Sequence, residues 1–354
     1  MENSSSLGLF INAPFYSAHF MELALWEPYV HQVCKRHGFG GKRIFPGLPG
    51  TFPTFIVELD AEDVRQYSAS VVVKFFGPLY DGADSFHVEQ SMGYFLAQRS
   101  LPVCSPVILA SGQLTPDWWY LIFEHIPGVS IGQVRQQLSA EAWVGVAQQM
   151  GIFMKKLHTA TAMTLPVLLQ PTSAVGWDGY VDFLEEQRDH CYANHLGWND
   201  LLPHLLEQVT DFILPADQLL DLSSLPHLIH ADLTSDHLIG RLAPTPETSP
   251  RVPQSPTTNT MDWHTLAIID WGDTRIGNIL YELVALHLDL FHVDKRLLRI
   301  CLDAYGLPDF YWQDFTRKAL SMVLLHQFPM PARVYAPHRD AHTLQELAEC
   351  LFGI

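Results

Sequence analysis

Basic residues are scarce in this 354-residue sequence: 21 Lys and Arg stand against 38 Asp and Glu, for a formal net charge of −17. The few cations are scattered rather than gathered into a stripe that neutralises a phosphate backbone, which argues against a nucleic-acid partner. Cysteine is sparse too. Cys34, Cys104, Cys191, Cys301 and Cys350 are odd in number, far apart and never spaced as C-x-x-C, so they read as reduced core residues. No apolar run approaches the roughly 20 residues needed to cross a bilayer, and no membrane partner is expected. The opening MENSSSLGLFINAPFY has an acid at Glu2 and no basic region, unlike a secretory leader, so the default address is cytoplasmic. No G-x-S-x-G elbow occurs and no Cys has a basic setting, which leaves hydrolysis through a nucleophile without support.

What remains is ample core material: 48% of residues are hydrophobic and 17% charged. The length suits a two-lobed globular enzyme, expected as a monomer or dimer. The acidity mainly favours solubility, with steering of a cationic substrate as the lesser reading.

Residues 1 to about 38 hold WEPYVHQVCKRHGFG, whose apolar positions recur at helical spacing. Its basic end, Lys35, Arg36 and His37, runs into Gly38, a favourable stop. RIF, TFIVEL and ASVVVKFF, rich in β-branched and aromatic residues, predict antiparallel strands between turn-forming segments. Helical periodicity returns in SFHVEQSMGYFLAQRS from Ser85, and strand character in PVILASGQ and WWYLIFEHIPG. From Ser139 to His158, Trp143, Val146, Ala147, Met150, Phe153, Met154 and Leu157 mark a core-facing helix, and helices dominate to about residue 220. LPHLIH, HLIGRL and TLAIID read as small strands that display loops at their ends. APTPETSPRVPQSPTTNT, rich in Pro, Ser and Thr, predicts a flexible insertion over about 243–262. Beyond Gly277, Leu280, Leu283, Val284, His287, Leu288 and Phe291 share one helical face. KRLLRICLDAY, DFYWQDFTRKALSMVLLHQF and TLQELAECLF complete a helical C-terminal region.

Two loops carry the strongest chemical signal, HADLTSDH at 230–237 and IDWGD at 269–273, each beginning where an apolar strand ends. Phosphoryl transfer needs one carboxylate to orient the attacking hydroxyl and another to hold magnesium against nucleotide phosphates. Asp232 and Asp270 fit those roles. Taken singly, each has a plainer reading: Asp232 as a turn residue or a helix cap, Asp270 as part of a tight turn, and Lys74 in VVVKFF as a strand lysine reaching solvent. His227, His230, Asp232 and His237 also permit a zinc reading, although H-x-x-H-x-D at a strand end does not set ligands on one face. Trp118 and Trp119 read as packing rather than a substrate platform.

HADLTSDH resembles the H-G-D-x-x-x-x-N catalytic loop of the aminoglycoside phosphotransferase and choline kinase family, and IIDWGD resembles its I-D-F/W-G-D metal motif. VVVKFF and FHVEQSMGYFLA are similar to the family's phosphate-contacting lysine and its helix partner, which the resemblance assigns to Lys74 and Glu89. YLIFEHIPG looks like the hinge strand, with Glu124 and Ile126, whose backbone receives adenine, and DTRIGNILYELVAL resembles the segment after the metal aspartate. The similarity covers about residues 40–354, and the order of its motifs is more specific than any one of them. The two loops also resemble phosphotransferase domains that some eukaryotic proteins carry beside JmjC domains.

The resemblance implies an α+β, protein-kinase-like two-lobed fold. A small antiparallel-sheet N-lobe with a leading helix is expected over 1–126, and a larger, mainly helical C-lobe over 127–354, with ATP bound between them. It implies transfer of the ATP γ-phosphoryl group to a hydroxyl of a small molecule, for the H-R-D, D-F-G and A-P-E set of protein kinases is absent. Asp232 would accept the hydroxyl proton and Asp270 would chelate Mg²⁺. Lys74 would steady the α- and β-phosphates, and Gly47 and Gly50 in PGLPGTFPT would sit in the nucleotide-covering turn. His230 is expected to brace the loop, and Asp273 either to touch the metal shell or to cap the next turn. One departure matters: His237 occupies the position of the family's metal-binding asparagine, with Asp236 before it. Magnesium prefers hard oxygen ligands, so either Asp236 supplies one, or the site favours Mn²⁺ or binds magnesium weakly. The alternative is a pseudokinase, a nucleotide-binding or interaction domain without turnover.

Overall fold

Alternating β-branched and aromatic residues build the first sheet. The computed structural model describes residues 7–60, 69–159, 177–244 and 261–354, and these divide into two compact units. The first comprises residues 1–100, 104–128 and 267–273. Within it, α1 (Ala13–His19) and α2 (Leu23–Arg36) precede β1 (Gly41–Pro46), β2 (Thr54–Leu59) and β3 (Ser70–Phe76), and α3 (Gly82–Ala97) precedes β4 (Ile108–Thr115) and β5 (Trp118–Glu124). All neighbours in the sheet are antiparallel, in the order β1-β2-β3-β5-β4. Period two decides what each face of β3 meets. Val71, Val73 and Phe75 join Trp26, Val30 and Val33 of α2 in one core cluster, whereas Phe76 joins Phe52 and Phe86 in a second. Lys74 therefore faces the second cluster. Trp118 packs in the first, 5.1 Å from Trp26, and Trp119 against the second, so both serve packing.

The second unit comprises residues 101–103, 129–266 and 274–354. β6 (Val129–Ser130) leads into α4 (Ile131–Val134), α5 (Ala140–His158) and α6 (Asp178–Trp198). β6, β8 (Leu238–Pro244) and β9 (Met261–Ile268) form one small sheet, β7 (His227–Ile229) and β10 (Arg275–Gly277) another. Helices Ile279–Ala285, Lys295–Tyr305, Phe315–Leu324 and Leu344–Phe352 follow. Local chemistry fixes their ends. Ser139 caps α5 by accepting from the Ala142 amide, Thr343 caps the last helix in the same way, and Gly306, at φ 75°, closes Lys295–Tyr305 in the left-handed region. α5 packs on Lys295–Tyr305 so closely that a Cβ at Gly151 would lie 2.2 Å from the Cys301 carbonyl oxygen.

The antiparallel first sheet and helical second half match the α+β, kinase-like expectation. Several details differ. α3 starts at Gly82, three residues before Ser85, and DFYWQDFTRKALSMVLLHQF breaks at Asp314, whose φ of 54° cannot continue a helix. The helix from Ile279 turns π-helical over Leu286–Leu290. Cys34, Cys191 and Cys301 are buried, but Cys104 and Cys350 are exposed, so the core reading fails for those two. The core of the proposed 243–262 insertion, residues 245–260, lies outside the described residues. No described helix is long and apolar enough to cross a membrane.

One buried ion pair ties α6 into the second unit. His195 Nδ1 lies 2.8 Å from Asp200 Oδ1 and its Nε2 3.0 Å from the Leu324 carbonyl oxygen, while the Met330 amide donates to Asp200 Oδ2. With acceptors at both nitrogens the ring is held as imidazolium. Burial alone would lower its pKa, but the hydrogen bonds to Asp200 and Cys191 and the Asp200 charge lift it to about 10. A pKa raised above its unfolded value of 6.5 stabilises fully below pH 6.5, and that stability is lost as pH climbs through about 10. Thermal melts should therefore fall more steeply between pH 6.5 and 10 in the wild type than in Asp200→Asn. Parallel profiles would show that the pair carries no pH-linked stability.

Candidate active site

The first unit holds a lysine between two carboxylates. Strand alternation turns Lys74 toward the Phe52 and Phe76 rings, 5.7 and 5.2 Å from their centroids. Phe86, Glu89 and Gly93 recur at helical spacing on the buried face of α3, which brings Glu89 to the lysine. Lys74 Nζ donates to Glu89 Oε2 and to Asp270 Oδ1, both at 2.7 Å. The lysine and glutamate side chains are only 8% and 5% exposed, and Asp270 remains 30% exposed. Burial opposes the ammonium, but the Asp270 and Glu89 charges outweigh it and hold the Lys74 pKa above its ordinary value. A Lys⁺ with two carboxylates leaves one negative charge, on groups with hard oxygen donors.

The loop that presents Asp270 is bent into a sparsely populated backbone conformation. Asp270 has φ 62°, in the left-handed region that few non-glycine residues adopt, and Trp271 Nε1 donates back to the Ile268 carbonyl. The Ile268 amide in turn donates to the Cys104 carbonyl, pinning the loop's entry. The half-buried Asp273 ends this segment. Gly47 and Gly50 lie in the β1–β2 turn, where a Cβ at Gly47 would meet the Thr54 carbonyl oxygen at 2.9 Å and one at Gly50 would meet nothing. Glu124 closes β5 and Ile126 follows it, both half-buried.

In the second unit β7 feeds the loop 230–237. His230 is fully buried, Ala231 takes φ 70°, and Asp232 is 23% exposed. The Ala231 amide donates to Glu282 Oε2 at 2.8 Å, so a buried carboxylate anchors the left-handed residue just before Asp232. His237 Nδ1 stands 2.6 Å from the Asp232 carbonyl oxygen. Because a carbonyl only accepts, that nitrogen carries the proton, and a neutral ring keeps its lone pair on Nε2. This is the arrangement in which a histidine is oriented to ligate a metal through its second nitrogen.

Asp236 takes another direction. Its Oδ1 accepts from Ser130 Oγ at 3.2 Å, and it lines a cavity of about 650 Å³ with Gly132, Arg135, Ser235, Asp289 and Arg333. Asp289 accepts from both the amide and the hydroxyl of Ser235, at 2.8 and 2.6 Å, and pairs with Arg333. His227 instead stacks on His158, with centroids 4.9 Å apart. Among the described residues no three His, Cys, Asp or Glu side chains converge to hold a metal ion, so the zinc reading has no support there. Magnesium makes no such demand, since it is commonly held by one or two carboxylates together with substrate phosphates.

The apolar helical face from Leu280 to Phe291 does not include Glu282, which the fold nevertheless places at the 230–237 loop. The missed signal is an acid embedded among Ile279, Leu280, Tyr281, Leu283 and Val284, all buried, where a carboxylate is rare unless it serves a partner. Burial raises the Glu282 pKa to about 7 against the pull of the Ala231 and His230 amides. Glu282→Ala should cost about 1–3 kcal/mol in urea melts by orphaning the Ala231 amide. In the wild type, stability present below pH 4.5 should decline as pH rises through about 7, because the folded state holds that proton more tightly. Glu282→Gln keeps an acceptor but cannot titrate, so its profile should be flatter; an unchanged decline would assign the effect elsewhere.

Comparison with known proteins agrees with the fold. The sequence model of the phosphotransferase enzyme family matches residues 51–246, more than half of the chain, including Lys74, Glu89 and Asp232 and ending before Asp270. The fold is similar to that of the GDP complex of wild-type aminoglycoside 2'-phosphotransferase-IIIa, with TM-score 0.57 and 16% identity, covering 92% of this chain and 96% of that one. It is also similar to the streptomycin–ATP ternary complex of APH(2")-IIa, with TM-score 0.52 and 17% identity over 92% and 98% of the two chains. In sequence the chain is 24% identical over 215 residues to lysine-specific demethylase JMJ21 of Arabidopsis thaliana, covering 54% of this chain and 22% of that protein's length. The extent of the family match makes this protein a member of the phosphotransferase enzyme family.

Proposed function

We propose that the protein transfers the γ-phosphoryl group of ATP to a hydroxyl of a small molecule. The observation that carries this reading is the double ion pair of Lys74 with Glu89 and Asp270, because a buried lysine gripped from a neighbouring helix is preset to meet phosphate oxygens. Glu89 orients Lys74, which steadies the nucleotide phosphates. Gly47 and Gly50 occupy the covering turn, and the backbone at Glu124 and Ile126 receives the adenine. In the transfer itself the acceptor oxygen attacks the γ-phosphorus, the bond to the bridging oxygen of ADP breaks, and the hydroxyl proton passes to Asp232. ADP and a phosphorylated acceptor result. The GDP and streptomycin–ATP complexes of the structural relatives support a nucleotide donor and a small hydroxylated acceptor.

A divalent cation would neutralise charge on the phosphates. Asp270 offers it a hard carboxylate oxygen. His237 offers an imidazole nitrogen, a donor better matched to Mn²⁺ than to Mg²⁺, and Asp236 is engaged by Ser130. His237 is also the observation that favours the second reading, a pseudokinase that binds nucleotide without turnover.

ADP release over a panel of hydroxylated acceptors separates the two readings. Asp232→Asn should lower kcat by about 10²- to 10⁴-fold while nucleotide affinity stays within a few-fold, as expected for loss of a general base. Equal kcat in wild type and variant would remove Asp232 from the chemistry. Nucleotide binding with no ADP formed on any acceptor would favour the pseudokinase.

A further inference from the structure

Most arginines described in this acidic chain have an obvious partner. Arg43, Arg188, Arg296, Arg299 and Arg333 each pair with a carboxylate, and Arg135 and Arg317 donate to backbone carbonyls. Arg275 differs. It is half-buried, with its guanidinium carbon 4.4 Å from the Phe183 ring centroid and 5.5 Å from that of Tyr281. Nη2 donates to Gln327 Oε1 at 2.8 Å, Nε is buried without a hydrogen-bond partner, and among the described residues no carboxylate forms an ion pair with it. The aromatic faces attract the cation but leave its charge uncancelled. A desolvated guanidinium without a counter-charge gains strongly from an anion.

Its place in the fold is informative. Arg275 pairs with Ile229 across the β7–β10 ladder, and three residues beyond Ile229 comes Asp232. On the far side, Tyr281 stacks on His326 at 4.5 Å between centroids. Burial first, and then the Arg275 charge, push the His326 pKa down to about 3. His326 therefore adds no second cation to Arg275, which the Phe183 and Tyr281 rings hold on two sides.

We propose that Arg275 receives an anionic group of the acceptor, a carboxylate or a phosphate, while the acceptor's hydroxyl is presented to Asp232. The acceptor class is then a hydroxy acid or a phosphorylated polyol rather than a polycation. This rests on the phosphotransferase reading above and adds to it the acceptor's charge. The net charge of −17 does not oppose it, because exposed charges are screened beyond about 8–10 Å at physiological salt and ATP itself is a polyanion.

Four probes built on one carbon skeleton test the idea: D-gluconate, D-glucose 6-phosphate, D-glucose and D-glucosamine, each titrated calorimetrically into wild type, Arg275→Gln and Arg275→Lys. One or both anions should bind at least about tenfold tighter than glucose and glucosamine, the worth of a charge-assisted pair, and whichever binds identifies carboxylate or phosphate. Arg275→Gln should erase that preference and Arg275→Lys should weaken it, since an ammonium lacks the planar fork. Should Arg275→Gln fail to fold, the Arg275→Lys titration decides. Anion binding that is absent in the wild type, tightest binding of glucosamine, or a preference unchanged by the substitutions would each overturn the proposal. ADP release with the same probes is scored separately: Arg275-dependent binding without ADP keeps the anion site and discards the transfer.

Discussion

A charged ammonium sealed among aromatic rings is tolerable only when it is paired, and Lys74 is paired twice. That requirement fixes three pieces of chain at once. β3 must present its even face to the second core cluster, α3 must roll Glu89 inward, and the loop at Asp270 must close over the lysine. The left-handed backbone at Asp270 is the conformational cost of that closure, and the Trp271 and Ile268 hydrogen bonds help to hold it. Removing Lys74 would take the ammonium from the buried Glu89 carboxylate, whereas removing either carboxylate would leave the lysine paired with the other.

The same logic recurs in the second unit with a different partner. Ala231 bends through a left-handed conformation immediately before Asp232, and the amide it turns inward is met by Glu282. His237 closes the loop from the other end through the Asp232 carbonyl, and Asp289 secures Ser235. The backbone of Asp232 is thereby held on both sides, and its side chain is left partly exposed. Each of the two acidic loops is thus organised by its own unit, through buried hydrogen bonds.

Much of this was legible in the sequence because it depends on periodicity. Val71, Val73 and Phe75 alternate, Phe86, Glu89 and Gly93 recur at helical spacing, and a strand followed by HADLTSDH or IDWGD announces a displayed loop. What escaped depends on three-dimensional partners. Glu282 stands in an apolar run whose periodicity conceals the carboxylate, and only the bend at Ala231 explains it. The direction of Asp236 toward Ser130, and of His237 toward the Asp232 carbonyl, is a matter of rotamers that adjacent letters cannot distinguish. The break at Asp314 and the π-helical turn at Leu286–Leu290 are local backbone choices made under tertiary packing.

The central claim is that Lys74 and its two carboxylates form a nucleotide-phosphate site. Calorimetric titration of ATP with and without Mg²⁺ or Mn²⁺, in the wild type and in Lys74→Met, tests it most directly. The account predicts metal-enhanced ATP binding in the wild type and at least about tenfold weaker binding in the variant, the scale of one lost charge-assisted contact. ATP affinity that is indifferent both to metal and to Lys74 would contradict it.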